Sequence, residues 1–520
     1  MKNNNFGKSE INYEHLYTKY RDDLVIKKSE EYAMITLASI FPDVLINENG
    51  ERTVIEKDYQ SLGATLVDTL ANKLATTLFP INQPFFRLTS SDGITEVLAQ
   101  QGIKRSDVSQ FLSKLENSSY KRLWRNSSYS QLVYAIKNLI ITGNCLVYRD
   151  TDESKTHVYT LRQYTIKRDG SGKVRDIVLK EIISKDDVPE DLHGVLHINE
   201  NTTKNFSLFT RIKRESRDST DVMVVSQQIE GYEIPNAESE YPISICPYIP
   251  VTWNLITGEN YGRGRVEDYI ADLIAYSELS RAATEYDMEM AKMVNIVSPT
   301  SQTDVDELDG SESGDYVTGI IGDIQTLEKG SYQKSLQLRN NLATIAQRLQ
   351  VAFMYSANTR DAERVTALEI QANIREADTA LGGAYSTLSD TMQVPLANVI
   401  LFEENPSYVQ GLIDNEISID ILTGNAALGR STDVNNLLQA TASLAQAATL
   451  TQLDNTVNIQ KIADMFFSAY GVDIADLRYT EEELRSKEQA AQQAQANINS
   501  QQSAVSTGLD AAQQIQNTPI

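Results

Sequence analysis

Two long stretches without proline or glycine stand near the middle of this 520-residue chain. Residues 266–295 read VEDYIADLIAYSELSRAATEYDMEMAKMVN, and residues 332–356 read YQKSLQLRNNLATIAQRLQVAFMYS. Each keeps a helical period over its whole length, so each predicts one long helix. The first contains seven acidic and two basic residues, whereas the second contains three basic residues and no acidic one.

The opposite charges of these two helices have two interpretations. In one, the charges face each other across a partly dry seam, either within a helical hairpin or between neighbouring subunits of a ring. In the other, each helix face is solvated independently, since exposed ion pairs contribute only about 0–1 kcal/mol each. The sequence leaves both open. The inter-helix contacts of the first interpretation would use Lys334, Arg339, Arg348, Glu278 and Glu285.

The segment between the two helices, residues 296–331, is rich in Ser, Asp and Gly. It contains one short strand candidate, residues 316–318, and therefore predicts a compact, loop-rich module. The acidic run at 304–310 has some features of a calcium-binding loop. However, Leu308 occupies the fifth ligand position and Gly310 comes one place late, so a solvated acidic turn is the better interpretation.

The residues before 265 predict a mixed region of helices and strands. Between residues 62 and 78 a leucine recurs every four positions, which is typical of an amphipathic helix, and prolines follow. Strand patterns persist to about residue 251. Helices are expected at 27–40, 62–78 and 132–141, a strand at 145–148, and a hairpin at 158–182 with its turn at 167–172.

The chain after residue 356 changes character twice. A polar break at 357–365 precedes a third helical region, whose start has the spacing of a capping box and whose end is expected near Phe402. Leu, Ala and Gln dominate after residue 431, which predicts a small helical domain to about residue 477. Residues 487–520 contain few large apolar side chains, so we expect a mobile tail or a helix ordered only by neighbours.

Composition excludes several classes of protein. Apolar residues make up 41% and charged residues 23%, as in ordered globular chains. We expect neither a signal peptide nor a membrane-spanning helix, because no sufficiently long apolar run occurs. Two cysteines rule out a disulfide framework and favour synthesis in a reducing cytoplasm. The net charge of -24 argues against tight nucleic-acid binding.

No catalytic, cofactor or metal motif is complete. Residues 170–173 lack the first glycine and the final Ser or Thr of a phosphate-binding loop. Residues 262–264 lack the third glycine of a dinucleotide fingerprint. His193 and His197 have helical spacing but no further ligands nearby, so ordinary loop histidines are favoured. We therefore expect no enzymatic activity, no cofactor and no metal site.

The most specific strings in the sequence are CPYIPV at 246–251 and, continuing from it, GENYGR at 258–263. With these strings the sequence resembles the portal, or head-to-tail connector, proteins of short-tailed phages of the autographivirus type. The resemblance covers roughly residues 10 to 480 and is weak in the tail. Other strings that match in order are LFP at 78–80, TGNCL at 142–146, RD at 168–169, GDYVTG at 314–319, ERVTA at 363–367 and LGGAYS at 381–386.

The resemblance implies an α+β, mainly helical portal fold assembled as a ring. Its parts are called wing, stem, clip and crown. They would be a mixed wing domain at 1–265, a first stem helix at 266–295, the clip at 296–331, a second stem helix at 332–356, a tunnel loop at 357–365, the wing's long helix and return at 366–425, a helical crown at 426–480 and a low-complexity tail at 481–520.

The implied function is a ring of twelve identical chains at one capsid vertex of the virion, made in the host cytoplasm. Double-stranded DNA would enter and leave through it, and an acidic conduit would let this polyanion slide. Implied partners are the major capsid and scaffolding proteins, the terminase large subunit, tail adaptor and nozzle proteins, and internal core proteins. The alternatives are an acidic metal-dependent nuclease and another ring-shaped tail adaptor.

The resemblance also assigns residues to two sites. The tunnel loop would lie at the narrowest part of the channel, where arginines on a loop would touch phosphates weakly. The clip would face the packaging ATPase and later the tail. The tunnel-loop residues are Asn358, Arg360, Asp361, Glu363 and Arg364, and the clip residues are Asp304, Asp306, Asp315 and Tyr316.

Overall fold

A computed structural model describes five parts of the chain. These are residues 9–41 except residue 10, 59–80, 84–90, 105–355 with short gaps, and 387–421 except 407–416. All of them belong to one compact unit, Met1–Gly429. The tunnel loop, the crown, the tail and the capping box predicted from the sequence lie outside the described residues, as does the first part of the wing's long helix, residues 366–386. The end of that helical region is described, and its last helix ends at Glu404, close to the predicted Phe402.

Helices and strands are both abundant in the described residues, which confirms the prediction of a mixed chain. None of the described helices is long and apolar enough to cross a membrane. The helices are α1 (Tyr13–Tyr20), α2 (Asp23–Ile35), α3 (Leu62–Leu78), α4 (Arg105–Leu123), α5 (Ser128–Thr142), α6 (Glu190–His193), α7 (Arg265–Ala291), α8 (Val305–Asp309), α9 (Tyr332–Ala352) and α10 (Val394–Glu404), the last preceded by a π-helical turn at Ser389–Gln393.

The strands are β1 (Phe86–Ser90), β2 (Asn144–Asp150), β3 (Lys155–Tyr159), β4 (Tyr164–Arg168), β5 (Val174–Ile183), β6 (Phe206–Arg217), β7 (Thr220–Ile229), β8 (Tyr232–Glu233), β9 (Ser239–Pro242), β10 (Tyr248–Thr252), β11 (Met293–Val297), β12 (Ile324–Glu328) and β13 (Ile417–Ile421).

These strands form four antiparallel sheets. β10, β2 and β3 make a three-stranded sheet. In a larger sheet β4, β5, β6, β7 and β8 follow in order, and β9 pairs with β7. β1 pairs with β13, and β11 pairs with β12.

Helix α3 lies in the middle of the main core. The sequence predicts it over the same residues, because its leucine row makes one continuous apolar stripe. Leu66, Leu70, Leu74 and Leu78 are all buried, and they pack in one cluster with residues of α4, α5 and α10. A buried leucine contributes about 1.5–3 kcal/mol relative to an exposed one, so this stripe alone accounts for much of the helix's stability.

A second core lies between the two larger sheets. Leu146 of β2 and Cys246 meet Ile166, Ile177 and Ile212 of the larger sheet there. The predicted hairpin and its turn are confirmed by β4 and β5. Its predicted start at residue 158 is wrong, because residues 158–159 belong to β3, which pairs β2 in the other sheet. Together, the two cores pack the described residues between 13 and 265 closely, and the long helix α7 begins at the end of this region.

The middle of the chain differs from the sequence prediction in three places. The second long helix, α9, ends at Ala352 and not at residue 356. Helix α7 ends at Ala291, not at residue 295, because the β-branched Val294, Ile296 and Val297 lie in strand β11, which pairs antiparallel with β12. Residues 316–318 form no strand. They lie between Gly314 and Gly322, which both adopt positive φ, and Tyr316 is 99% exposed. An extended segment without a pairing partner gains no ladder hydrogen bonds.

Candidate functional site

Helices α7 and α9 lie side by side as a helical hairpin, which is called the stem hairpin after the sequence prediction. Ion pairs and a hydroxyl group link the two helices. Arg339 Nη2 donates to Asp287 Oδ2 at 2.7 Å, and Arg348 Nη2 donates to Asp272 Oδ1 at 2.9 Å. Ser335 Oγ donates to the other oxygen of Asp287 at 2.6 Å. Opposite charges therefore meet within the hairpin of a single chain.

Two of these contacts between α7 and α9 are made by the same residue, Asp287. Its hydrogen bonds from Ser335 and Arg339 lower the pKa of the Asp287 carboxyl, because both favour the charged form. Sequence reasoning named both arginines but missed Asp272 and Asp287. The helical period could have found them, since Asp287 follows Asp272 by 15 residues, about four turns, and both therefore point to the same side of α7.

The other predicted seam residues do not meet across the hairpin. Glu285 Oε1 accepts from Arg281 Nε of its own helix at 3.0 Å. Glu278 and Lys334 are exposed. The predicted role of Glu278, Glu285 and Lys334 in contacts between stem helices stays a prediction. Among the described residues of one chain they make no such contact, so the prediction applies to contacts between neighbouring chains.

Few residues of the stem hairpin are buried. Within α7 only Val266, Leu273 and Ala283 are buried, and within α9 only Ser335 and Leu349. A surface helix normally buries a stripe of three to four residues in every two turns. Large apolar side chains remain exposed along both helices, namely Ile274, Met288, Tyr332, Leu336 and Val351. The hairpin therefore presents apolar surface that the described residues of one chain leave uncovered.

The segment that joins α7 to α9, residues 296–331, is the one that the sequence predicts to be the clip. It contains eight acidic residues and one basic residue, Lys329. Two of the four predicted clip residues have local structural roles: Asp304 caps α8 by accepting from the Asp306 and Glu307 amides, and Asp315 accepts from the Glu312 amide. Asp306 and Tyr316 are exposed. The clip is thus an acidic surface with an exposed aromatic side chain.

Two basic side chains bind the end of the stem hairpin at which α7 begins and α9 ends. Arg265, the first residue of α7, donates from Nη2 to the Ala352 carbonyl at 3.1 Å, and its guanidinium lies 4.8 Å from the Tyr269 ring centre. Lys73 of α3 donates to the Met354 carbonyl. Both cations occupy the C-terminal end of α9, where the helix dipole and the last carbonyls favour positive charge.

A fully buried ion pair joins strand β2 to helix α10. Arg149 of β2 forms a bidentate pair with Glu403 of α10, at 3.0 and 3.2 Å. The remaining guanidinium protons go to the Ser128 and Thr156 hydroxyls and the Arg122 carbonyl. The sequence gives no local signal for this pair, because its members are 254 residues apart.

Few of the described side chains could bind a metal ion or act as a nucleophile. The described residues hold no cluster of three or more His, Cys, Asp or Glu that could bind a metal ion. Burial raises the pKa of the Cys145 thiol strongly and that of Cys246 to about 12, so neither is a reactive thiolate near neutral pH. His193 Nε2 lies 2.8 Å from the Val188 carbonyl, at the end of α6.

Comparison with known proteins gives one consistent result. The family model for the bacteriophage head to tail connecting protein matches residues 32–477. The portal protein of Pseudomonas phage phiKMV is 37% identical over 92% of this chain and 94% of its own length. The portal proteins of Enterobacteria phage SP6 and Escherichia phage T7 are each 29% identical, over 91% and 97% of this chain and 90% and 95% of their own lengths.

Among solved structures, a chain of the native gene transfer agent particle matches with a TM-score of 0.36 and 10% identity. It covers 78% of this chain and 89% of its own length. A chain from the neck of the same kind of particle, computed with C12 symmetry, matches with a TM-score of 0.35 and 10% identity over 77% and 89%.

Proposed function

The chain belongs to the family of bacteriophage head-to-tail connecting proteins, and from this premise we propose that it forms the portal ring at one vertex of the capsid. The family match and the portal-protein relatives cover most of the chain. They confirm the resemblance found in the sequence. The ring would consist of twelve copies and would serve as the channel through which DNA is packaged and ejected.

The exposed apolar surface of the stem hairpin is the observation that carries this proposal. Two helices of 27 and 21 residues that bury five side chains between them have too little packing to be stable projections from a monomer. Neighbouring copies in a ring would cover Ile274, Leu336 and Val351, all of them exposed in one chain. Exposed apolar side chains on two helices that bury so few residues are expected at an interaction surface.

The charge of the chain suits a conduit. Each copy carries a net charge of -24. A channel wall of the same sign as DNA does not trap it, and the proposal needs no catalytic residue in this chain. The ATPase that drives packaging would be a separate terminase subunit.

Partners follow from the position of each surface. The acidic clip suits terminase and then tail adaptor and nozzle proteins, because partner surfaces with basic groups complement it. The wing would contact the capsid, the scaffolding proteins and the internal core proteins. A normal yield of DNA-filled heads from a chain without residues 304–310 would contradict the role of the clip.

The tunnel loop is proposed as a weak grip on the DNA. Its two arginines, Arg360 and Arg364, alternate with acidic residues, and twelve copies would surround the duplex. Replacing both by Ala should leave ring formation intact and lower the amount of DNA retained in finished heads. Pulsed-field electrophoresis of packaged genomes measures the DNA content. An unchanged content would mean that these residues form an ordinary surface loop without a grip on DNA.

The stem test of ring formation uses Ile274→Glu. Ile274 is 45% exposed in one chain, so a carboxylate there costs the isolated chain little. Buried against a neighbouring copy, it would be an unpaired charge and should abolish the ring, as seen by native mass spectrometry. Ile243→Glu is the matched control, because Ile243 of the wing is also 45% exposed. A normal ring from Ile274→Glu would overturn the assignment of the stem as the ring contact.

A further inference from the structure

The root loop, residues 258–264, is the segment from which α7 begins. Gly264 is the N-cap of α7 and supplies no side-chain cap. The direction of the helix must therefore be set by whatever holds the loop itself. The loop is bound by three segments that are remote in sequence, and each of them uses groups of a different kind.

The first segment is the junction of α5 and β2, where Asn144 binds both backbone groups of Gly262. The Gly262 amide donates to Asn144 Oδ1 at 2.7 Å, and Asn144 Nδ2 donates to the Gly262 carbonyl at 2.7 Å. The same Nδ2 also donates to the Thr142 carbonyl at 2.8 Å. Asn144 is buried, and every polar group of its amide is used. Aspartate cannot replace it, because a carboxylate has no donor.

The backbones of this junction and of the root loop also touch directly. A Cβ atom on Gly143 would lie 2.3 Å from the Arg263 carbonyl carbon, and one on Gly264 would lie 2.7 Å from the Ile141 carbonyl oxygen. Gly143 has a φ of 77°, which favours glycine. No side chain fits between the two segments, so the separation between the end of α5 and the start of α7 is fixed by main-chain contact.

The second and third segments hold the other end of the loop. Arg168 of β4 donates through its amide to Asn260 Oδ1 at 2.8 Å and through Nε to the Asn260 carbonyl at 3.0 Å. Tyr261 is buried, and its hydroxyl donates to the Tyr20 carbonyl at the end of α1, at 3.2 Å. The loop is thus tied to both sheets and to α1.

A small rotation at this loop has a large effect at the clip. Helix α7 has 27 residues and is therefore about 40 Å long, so a tilt of about 10° at its start moves its far end by about 7 Å. A closed ring allows one rotation between neighbours, and rings of twelve and thirteen copies differ by about 2° in that rotation. The angle of the stem is therefore a quantity to which ring closure is sensitive.

We propose that the root loop is the element that fixes the angle of the stem on the wing, and that Asn144 is its positioning residue. Through this angle the loop determines how many copies close the ring. This inference rests on the proposed function, because it assumes that the stems pack against one another. It adds that the choice of copy number is made at the wing end of the stem, away from the stem contacts themselves.

The test is the distribution of ring sizes by native mass spectrometry, with thermal unfolding measured alongside. Asn144→Asp removes both donor contacts of the amide, and we expect the fraction of rings of the wild-type size to fall at least twofold. Asn138→Ala is the control, since Asn138 is equally buried but donates only to the Tyr134 carbonyl of its own helix. It should lower the unfolding temperature without changing the ring sizes.

Each outcome decides one point. An unchanged distribution in Asn144→Asp, or an equal spread in Asn138→Ala, would overturn the inference while leaving the ring itself intact. If Asn144→Asp does not fold, Asn260→Ala decides instead, because Asn260 is exposed and its loss removes only the side-chain acceptor for Arg168. It should broaden the distribution by a smaller amount, and an unchanged distribution would overturn the inference. A wild-type chain that forms no ring would contradict the proposed function and this inference with it.

Discussion

Arginine–carboxylate pairs occur both in the wing interior and along the stem hairpin, and their surroundings differ. Arg149 is fully buried, and its guanidinium has partners for all of its protons within the chain. Arg339 and Arg348 of the stem have side chains that are 67% and 60% exposed, and each has one carboxylate partner. The Arg149 pair thus completes its polar bonding within one chain, whereas the stem hairpin leaves charged and apolar groups that other copies can use.

The largest expected effect is in the wing. Arg149→Met removes the bidentate partner of the buried Glu403 and leaves it, within the described part of the chain, only the longer contact with Arg122 Nε, at 3.8 Å, and the Ser154 hydroxyl. The change should cost about 3 kcal/mol of unfolding free energy, which chemical denaturation measures. Adding Glu403→Leu should recover much of the loss, because it removes the buried carboxylate that has lost its main partner. A loss well below 1 kcal/mol in the single variant would show that the pair does not hold α10 to the wing.

A smaller effect on chain stability is expected in the stem. Replacing Arg339 and Arg348 together by Glu breaks two exposed ion pairs, each of which contributes about 0–1 kcal/mol. Ring assembly should weaken more than chain stability does, and more at low salt, where repulsion of the new carboxylates by the acidic face of α7 is less screened. Native mass spectrometry at two ionic strengths gives the measurement.

Ser335→Ala is the matched control for this pair of changes. It removes a hydrogen bond to the same Asp287 without reversing any charge. It should therefore leave the salt dependence of assembly unchanged. If it reproduces the salt dependence of the double Glu variant, charge complementarity is not what joins the stem helices.

Sequence reasoning works where a structure is decided by neighbouring residues. The leucine row of α3 specifies that helix to its ends, because the period needs only one turn of context. The hairpin of β4 and β5 follows from its turn in the same way.

Distant partners explain what the sequence does not reveal. Strand β11 forms because β12, about 30 residues later, pairs with it, so its residues leave the predicted helix. The contact of Asn144 with Gly262 joins positions 118 residues apart. The strings TGNCL and GENYGR are visible in the sequence as family features, but only the fold brings them together at the root of the stem.

The central claim is that the stem needs other copies of this chain. The most direct test is the mass of the purified wild-type protein by native mass spectrometry, at near-physiological salt. The account predicts one closed assembly of close to twelve times the 58.1 kDa chain, with a central channel in negative-stain images. A stable, folded monomer of 58.1 kDa at micromolar concentration would contradict it.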